Sequence, residues 1–259
     1  MTYWMRRLRV ALPWIVIAVL SSAAVMLALL PAAWITPQFS KQTAGHVNLV
    51  DPAGSLWHGS ATLMFAAGSD MSAATLLPGR IEWTTAFWPL FTGRVRMAMR
   101  HSDAMPEPIT VDATPRAANV TAGAIAVPAS LLSGLGAPFN TLDLHGDVCL
   151  AWSDLRSFNR EAFGQLTVTL NDVSSRVSVV RPLGSYRVLI QAEGGSPTIN
   201  LSTLKGPLML SGSGTVSPVS TSFQGSATST PEARDNLAGL LNLLGRPSGP
   251  NTVALTFVH

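Results

Sequence analysis

The 259-residue chain is poor in charge and nearly free of cysteine. Only 12% of its side chains are charged, where a soluble domain carries roughly 25%, and that shortfall points to a membrane or envelope setting. The lone Cys149 excludes an internal disulfide and a cysteine-based metal cluster. Oxidising or reducing surroundings therefore leave no mark on the sequence. Also missing are a Gly-x-Ser-x-Gly elbow, a phosphate-binding loop and a His-Glu-x-x-His pair. The histidines (His46, His58, His101, His145, His259) stand singly. His145 and Cys149 share the nominal polar face of one strand with Asp147. Four residues along a strand span about 13 Å, too far for a thiol–imidazole pair. Gly212-Ser213-Gly214 lacks the third glycine of a dinucleotide fingerprint and reads as a strand bend or bulge. An enzyme is not expected, and neither is a cofactor or a metal.

A basic patch is absent too. The formal charge of +3 and the pI of 9.6 trace to Arg6, Arg7 and Arg9, because from Lys41 onward basic and acidic side chains balance. Nucleic acid is therefore not expected as a partner. The three arginines instead precede an uncharged run from Val10 to Leu30, long enough as a helix to cross a hydrocarbon core of about 30 Å. Tyr3, Trp4 and Trp14 lie near one end of this run and Trp34 near the other, where amphipathic rings favour the headgroups. Arginines before the run, and only Lys41 shortly after it, predict an inside N-terminus and an outside C-terminus. Pro13 and Pro31 fall where a helix tolerates them. A cleaved signal peptide is the competing reading, with Ser22-Ala23-Ala24 as its small-residue site. The apolar character that continues through Val25–Leu30 favours the anchor.

Beyond residue 45 the dominant period is two. Leu142, Leu144, Val148, Leu150 and Trp152 fall on one face of a strand and Asp143, His145 and Asp147 on the other. Val95, Met97 and Met99 alternate with Arg94, Arg96, Ala98 and Arg100, and Leu166, Val168 and Leu170 with Gln165, Thr167 and Thr169. This is the signature of antiparallel strands with one wet face. Further strands are expected at Gly59–Ala66, Ile109–Ala113, Val120–Val127, Arg176–Arg181, Tyr186–Glu193, Leu208–Gly212, Thr221–Ala227 and Thr252–Val258. The arginine stripe reads as a solvated face, with lipid headgroups or an acidic partner as the functional alternative. Two helices are predicted, a short one over Pro128–Leu135 and a stronger one over Pro231–Leu244. Thr230 can cap the second, Glu232 and Asp235 suit its positive end, and Leu237, Leu240, Leu241 and Leu244 form its stripe.

One ordered set of motifs is more specific. Gly54-Ser55-Leu56-Trp57-His58-Gly59 is followed by Ile81-Glu82-Trp83 and then by Gly93-Arg94-Val95 entering a strand. Later come Arg181-Pro182-Leu183-Gly184, Gly206-Pro207-Leu208 running on to Gly212 and Gly214, Phe223-Gln224-Gly225, and the leucine helix ending Leu244-Gly245. This order resembles the N component of the bacterial type II secretion system, a family similar to AsmA-like proteins. The residues that carry the resemblance are Gly54, Leu56, Trp57, Gly59, Trp83, Gly93, Gly206, Gly212, Gly214 and Gly225. It implies a bacterial inner-membrane accessory or structural subunit that works through other inner-membrane and periplasmic secretion subunits. No catalytic residues carry over.

The expected fold is mainly β: one transmembrane helix, then an extended, curved antiparallel sheet, a groove or half-barrel with one or two packing helices. The expected division is a cytoplasmic segment at 1–9, the span at 10–33, a linker at 34–44 and a periplasmic domain at 45–259. An AsmA-like groove that binds or passes membrane lipid is the alternative function, and an envelope hydrolase a weaker third. Trp57 reads as a core anchor, with Gly54 and Gly59 letting its ring fold over the sheet edge.

Overall fold

Side chains alternating between apolar and polar can bury one face of a pleat, and here they do so along nearly the whole chain. The computed structural model describes residues 14, 17–18, 21–22, 25–26, 29–68, 70–135, 139–159, 161–216, 221–249 and 251–258. Arg6, Arg7, Arg9 and Val10 lie outside the described residues, as does much of the expected span. Those of its residues that are described between 14 and 26 are helical. Among the described residues no helix is long and apolar enough to cross a membrane.

After a 3-10 turn at Ala32–Trp34 comes helix α1 (Thr36–Gln42), which occupies most of the expected linker. Five strands follow: β1 (Val47–Gly54), β2 (His58–Ala67), β3 (Asp70–Leu76), β4 (Ile81–Ala86) and β5 (Val95–His101). Next come β6 (Ile109–Ala113), β7 (Ala117–Val120) and β8 (Gly123–Pro128), then a 3-10 stretch at Ala129–Leu135 and helix α2 (Phe139–Leu142). The second half holds β9 (Leu144–Trp152), β10 (Leu155–Phe158), β11 (Glu161–Ser175), β12 (Gly184–Glu193), β13 (Thr198–Lys205), β14 (Leu208–Val216) and β15 (Thr221–Ser229). Helix α3 (Arg234–Leu244), β16 (Arg246–Gly249) and β17 (Thr252–Val258) complete it.

The seventeen strands among the described residues belong to one sheet, antiparallel throughout and laid down as a meander. Most consecutive strands pair, except that β3 and β4 share one edge of β2, β7 pairs with β10 rather than β8, β9 pairs with β11 rather than β10, and β17 inserts between β15 and β16. Among the described residues no pairing joins β1 to β16 or β17, so the sheet is open.

Two strand expectations need correction. Val120–Val127 is not one strand. β7 and β8 pair with β10 and β9 in a single register, interrupted where Thr121–Ala122 faces Ser153–Asp154. There side chains replace the ladder: Asp154 Oδ1 accepts the Ala122 N–H at 2.8 Å, and Trp152 Nε1 donates to the Thr121 carbonyl at 2.9 Å. Arg176–Arg181 is a turn, because the Ser175 and Ser178 hydroxyls accept the Val177 and Val180 N–H groups. The helices also start differently. Pro128 closes β8, and the segment after it is 3-10. The Thr230 side chain makes no cap bond, and Pro231–Ala233 is a 3-10 turn ahead of α3.

Directly opposed residues of an antiparallel ladder share a face, so side chains align in rows. One apolar row runs Ile125, Leu150, Val168, Val188, Leu201, Gly212, Gly225, Leu255. A polar row on the other face includes Cys149, Thr169, Arg187 and Ser202. Helices cover part of the apolar face. Leu237, Leu240 and Leu241 of α3 pack on Leu183, Leu208, Ala227, Val253 and Leu255. Ala129 joins Leu144, Val148, Val173 and Tyr186 at the middle of the sheet, and Ala32 and Leu131 join Ala61, Leu63, Ile81 and Trp83 at its start. The Tyr186 hydroxyl donates to the Leu208 carbonyl at 3.1 Å, and burial pushes its pKa well above the ordinary phenol value.

Leu237 has no exposed surface, whereas Leu243 on the same helix is 65% exposed. Leu237→Ala should lower the unfolding free energy by about 2–5 kcal/mol through the cavity it leaves. Leu243→Ala should cost less than about 0.5 kcal/mol. Urea titration of the detergent-solubilised chain reads both, and equal losses would show that α3 does not pack on the sheet as described.

Candidate functional site

The motif residues of the first half converge on one corner. β1 ends at Gly54 and β2 begins at His58, with Gly54 directly opposite Gly59. Gly54 takes φ 83°, a left-handed conformation that side chains with a Cβ avoid. The Ser55 hydroxyl accepts the Trp57 and His58 N–H groups and closes the turn. Trp57 then folds back and is buried, as its reading as a core anchor requires. Leu56 ties three elements together. Its N–H donates to the Leu30 carbonyl at 2.9 Å, and its carbonyl accepts the Thr85 hydroxyl at 2.9 Å.

Gly59 is needed for a different reason. It stands opposite Trp83 of β4, and a Cβ on Gly59 would overlap the Trp83 ring. Trp83 is buried, and its indole N–H has no hydrogen-bond partner among the described residues. Gly93, at φ 71°, ends a 3-10 turn over Trp88–Thr92 two residues before β5, with open space where a Cβ would stand. In the second half the same device recurs. The Phe223 ring lies against Gly212 and Gly225, which are directly opposed, and Gly214 faces Phe223 itself. Gly206 lies apart from both sets, in the β13–β14 turn against Gly184. The motifs therefore form two local clusters on one sheet, not a single pocket.

Sequence reasoning missed the residues that complete the first corner. Phe87 meets Trp57 edge to face at 5.0 Å, and Phe91 meets Phe87 at 5.3 Å. The signal was there in Phe87-Trp88-Pro89-Leu90-Phe91, three rings in five residues.

Residues 45–256 match the family model described as Type II secretion system (T2SS), protein N. The chain belongs to that family. It is a type II secretion system subunit, and the matched stretch coincides with the sheet, from just before β1 into β17. No curated protein and no solved structure matched the chain.

The polar face of this subunit carries charge in opposed pairs. Arg100 meets Glu82 at 2.6 Å and Arg96 meets Asp112 at 2.8 Å, each directly across its ladder. Arg80 reaches Asp51 at 2.6 Å. Arg96 and Arg100 of the expected arginine stripe thus have acidic neighbours within the sheet, as a solvated strand face would. Lys205 hydrogen-bonds Asp172 at 2.7 Å, and that bond and its charge hold the Asp172 carboxyl below its ordinary pKa. Among the described residues no group of three His, Cys, Asp or Glu side chains could hold a metal ion. His145 bonds the Asp143 carbonyl, whereas Cys149 sits opposite Thr169.

The two glycines of the corner should respond differently. Gly59→Ala is expected to lower stability by about 1–3 kcal/mol, because the Trp83 ring must move off its rotamer. Gly93→Asn, in open space and with a residue that tolerates the left-handed region, should cost under about 1 kcal/mol. Thermal melts in detergent compare them, and an unaffected Gly59→Ala protein would refute the contact.

Proposed function

We propose that this family member is an accessory or structural subunit held in the inner membrane, and that it acts by binding other subunits rather than by catalysis. Residues 10–33 would span the bilayer, with 1–9 in the cytoplasm and 45–259 in the periplasm. The family match over the whole sheet carries the reading. The uncharged run behind Arg6, Arg7 and Arg9 supports the topology. The cross-strand ion pairs of the polar face support a scaffold, since a reacting group gains from being uncommitted.

The apolar face favours a second reading, a lipid-binding sheet. Away from the helices the rows continue through Leu166, Val168, Val188, Ile190, Ile199 and Leu201, all of them only half-buried. An apolar surface left uncovered by its own chain commonly marks a binding site.

Crosslinking in intact cells followed by mild detergent extraction should recover this chain with other secretion subunits. Deleting it should lower export of a folded secreted protein. Neither recovery nor an export defect would end the subunit proposal. On the same extract, native mass spectrometry separates the readings: a bare mass supports the protein-contact scaffold, and a stoichiometric lipid adduct supports the lipid sheet. A mature N-terminus near residue 25 would remove the anchor from both.

A further inference from the structure

The corner built by Gly54, Trp57 and Gly59 carries exposed aromatic rings on the turn between β4 and β5. Trp88 is 80% exposed and Phe91 72%, and Phe87 between them packs on both at 6.1 and 5.3 Å. Trp57 roots this cluster in the sheet through its 5.0 Å contact with Phe87. The turn is built to hold its rings out. The Thr92 hydroxyl and the Arg94 N–H both bond the Pro89 carbonyl, at 2.7 and 3.0 Å, and Gly93 closes the turn. Large rings on a preformed turn in water are an unfavourable arrangement unless something covers them.

Where the turn sits identifies the cover. The chain leaves its N-terminal apolar run at Leu30, and the bond from Leu56 to Leu30 and the bridge from Pro31 to Ser55 fix that point beside the β1–β2 corner. The Thr85 N–H donates to the Trp57 carbonyl at 2.7 Å, which holds the end of β4 at the same corner. Trp34, also exposed, lies a few residues further along. No aspartate or glutamate occurs from Trp83 to Ser102, and Arg94 follows the turn directly. Rings of this kind beside a cation favour the headgroup layer of a bilayer that carries anionic lipid.

We propose that the Phe87–Phe91 turn is a second membrane contact, which sets Trp88 and Phe91 into the lipid interface beside the point where the chain emerges. The inference rests on the anchoring proposed above. One helix alone lets the sheet swivel and tilt about its tether, and a second contact at the same corner fixes the sheet's attitude to the membrane.

The test uses the full chain in a Cys149→Ser background, reconstituted into vesicles of phosphatidylethanolamine and phosphatidylglycerol. An environment-sensitive dye is attached through Phe91→Cys, through Trp88→Cys, or through Ser102→Cys at the opposite end of β5. Each variant is first shown to melt with the parent. The dye at positions 88 and 91 should be quenched by nitroxide-labelled lipid and be severalfold less open to aqueous iodide than the dye at 102. Equal iodide quenching at both ends overturns the membrane contact. So does shielding of 88 and 91 that appears only when other secretion subunits are added, which would mark a protein site. Carbonate extraction of the same vesicles separates the two levels. A chain released at high pH overturns the anchoring together with this inference, whereas a retained chain with open rings overturns this inference alone.

Discussion

A sheet of many strands keeps its register only if something resists sliding, since a shift by one residue would turn every apolar side chain of a strand to the wrong face. In this protein the resistance comes from aromatic rings seated on glycines, at each site including one of a neighbouring strand. Trp83 lies on Gly59, Trp152 on Gly123, and Phe223 on Gly212 and Gly225. Trp83 and Trp152 each stand directly opposite their glycine. A ring seated this way fits one register and clashes in the next, and it fills the space that the glycine leaves empty. The three contacts are spread along the meander, one near its start, one at its middle and one near its end. Each therefore pins a segment that has no covalent crosslink, as a chain with a single cysteine requires.

This constraint also explains why the motif residues look like a site in the sequence and act as joints in the structure. Gly54, Trp57, Gly59 and Trp83 do come together, and so do Gly212, Gly214 and Gly225. The sequence could show their spacing because hairpins convert sequence distance into cross-strand neighbourhood almost directly. It could not show that the ring over Gly59 belongs to Trp83, since that depends on β4 returning along β2 in a particular register. The exposed rings at Trp88 and Phe91 escaped for a related reason: an aromatic in an apolar run reads as core until the turn that carries it is seen to point outward.

The strands were legible where alternation ran unbroken, as at Ile109–Ala113 and Thr252–Val258. They were lost where a polar side chain replaces a ladder bond. Asp154 and Trp152 interrupt β7–β8, and Ser175 and Ser178 turn the chain at 176–181 although Val177 and Val179 alternate as a strand would. Periodicity reports which face a side chain prefers and is silent on which atom satisfies the backbone. The same limit applies to α3. Its leucine stripe was readable, but the hydroxyl expected to cap it makes no cap bond, and a proline-led 3-10 turn supplies the start instead.

The two faces and two ends of the sheet then assign different tasks to different places. The polar face carries the opposed pairs Arg100–Glu82 and Arg96–Asp112 and presents mostly neutral hydroxyl and amide groups on β13–β15. The apolar face is roofed by α3, by Ala129–Leu135 and by α2 at one end of the strands of the second half, leaving half-buried rows toward the other end. That less covered end carries the β1–β2 corner, the Trp88–Phe91 turn and the β12–β13 turn, because the antiparallel order brings alternate connections to the same side. The cover supplied by α3 thus lies far from the corner where the apolar N-terminal run joins the sheet. On the proposed orientation, the part of the sheet that its own chain leaves open is the part nearest the bilayer, where lipid or a membrane-bound neighbour would be the closest available cover.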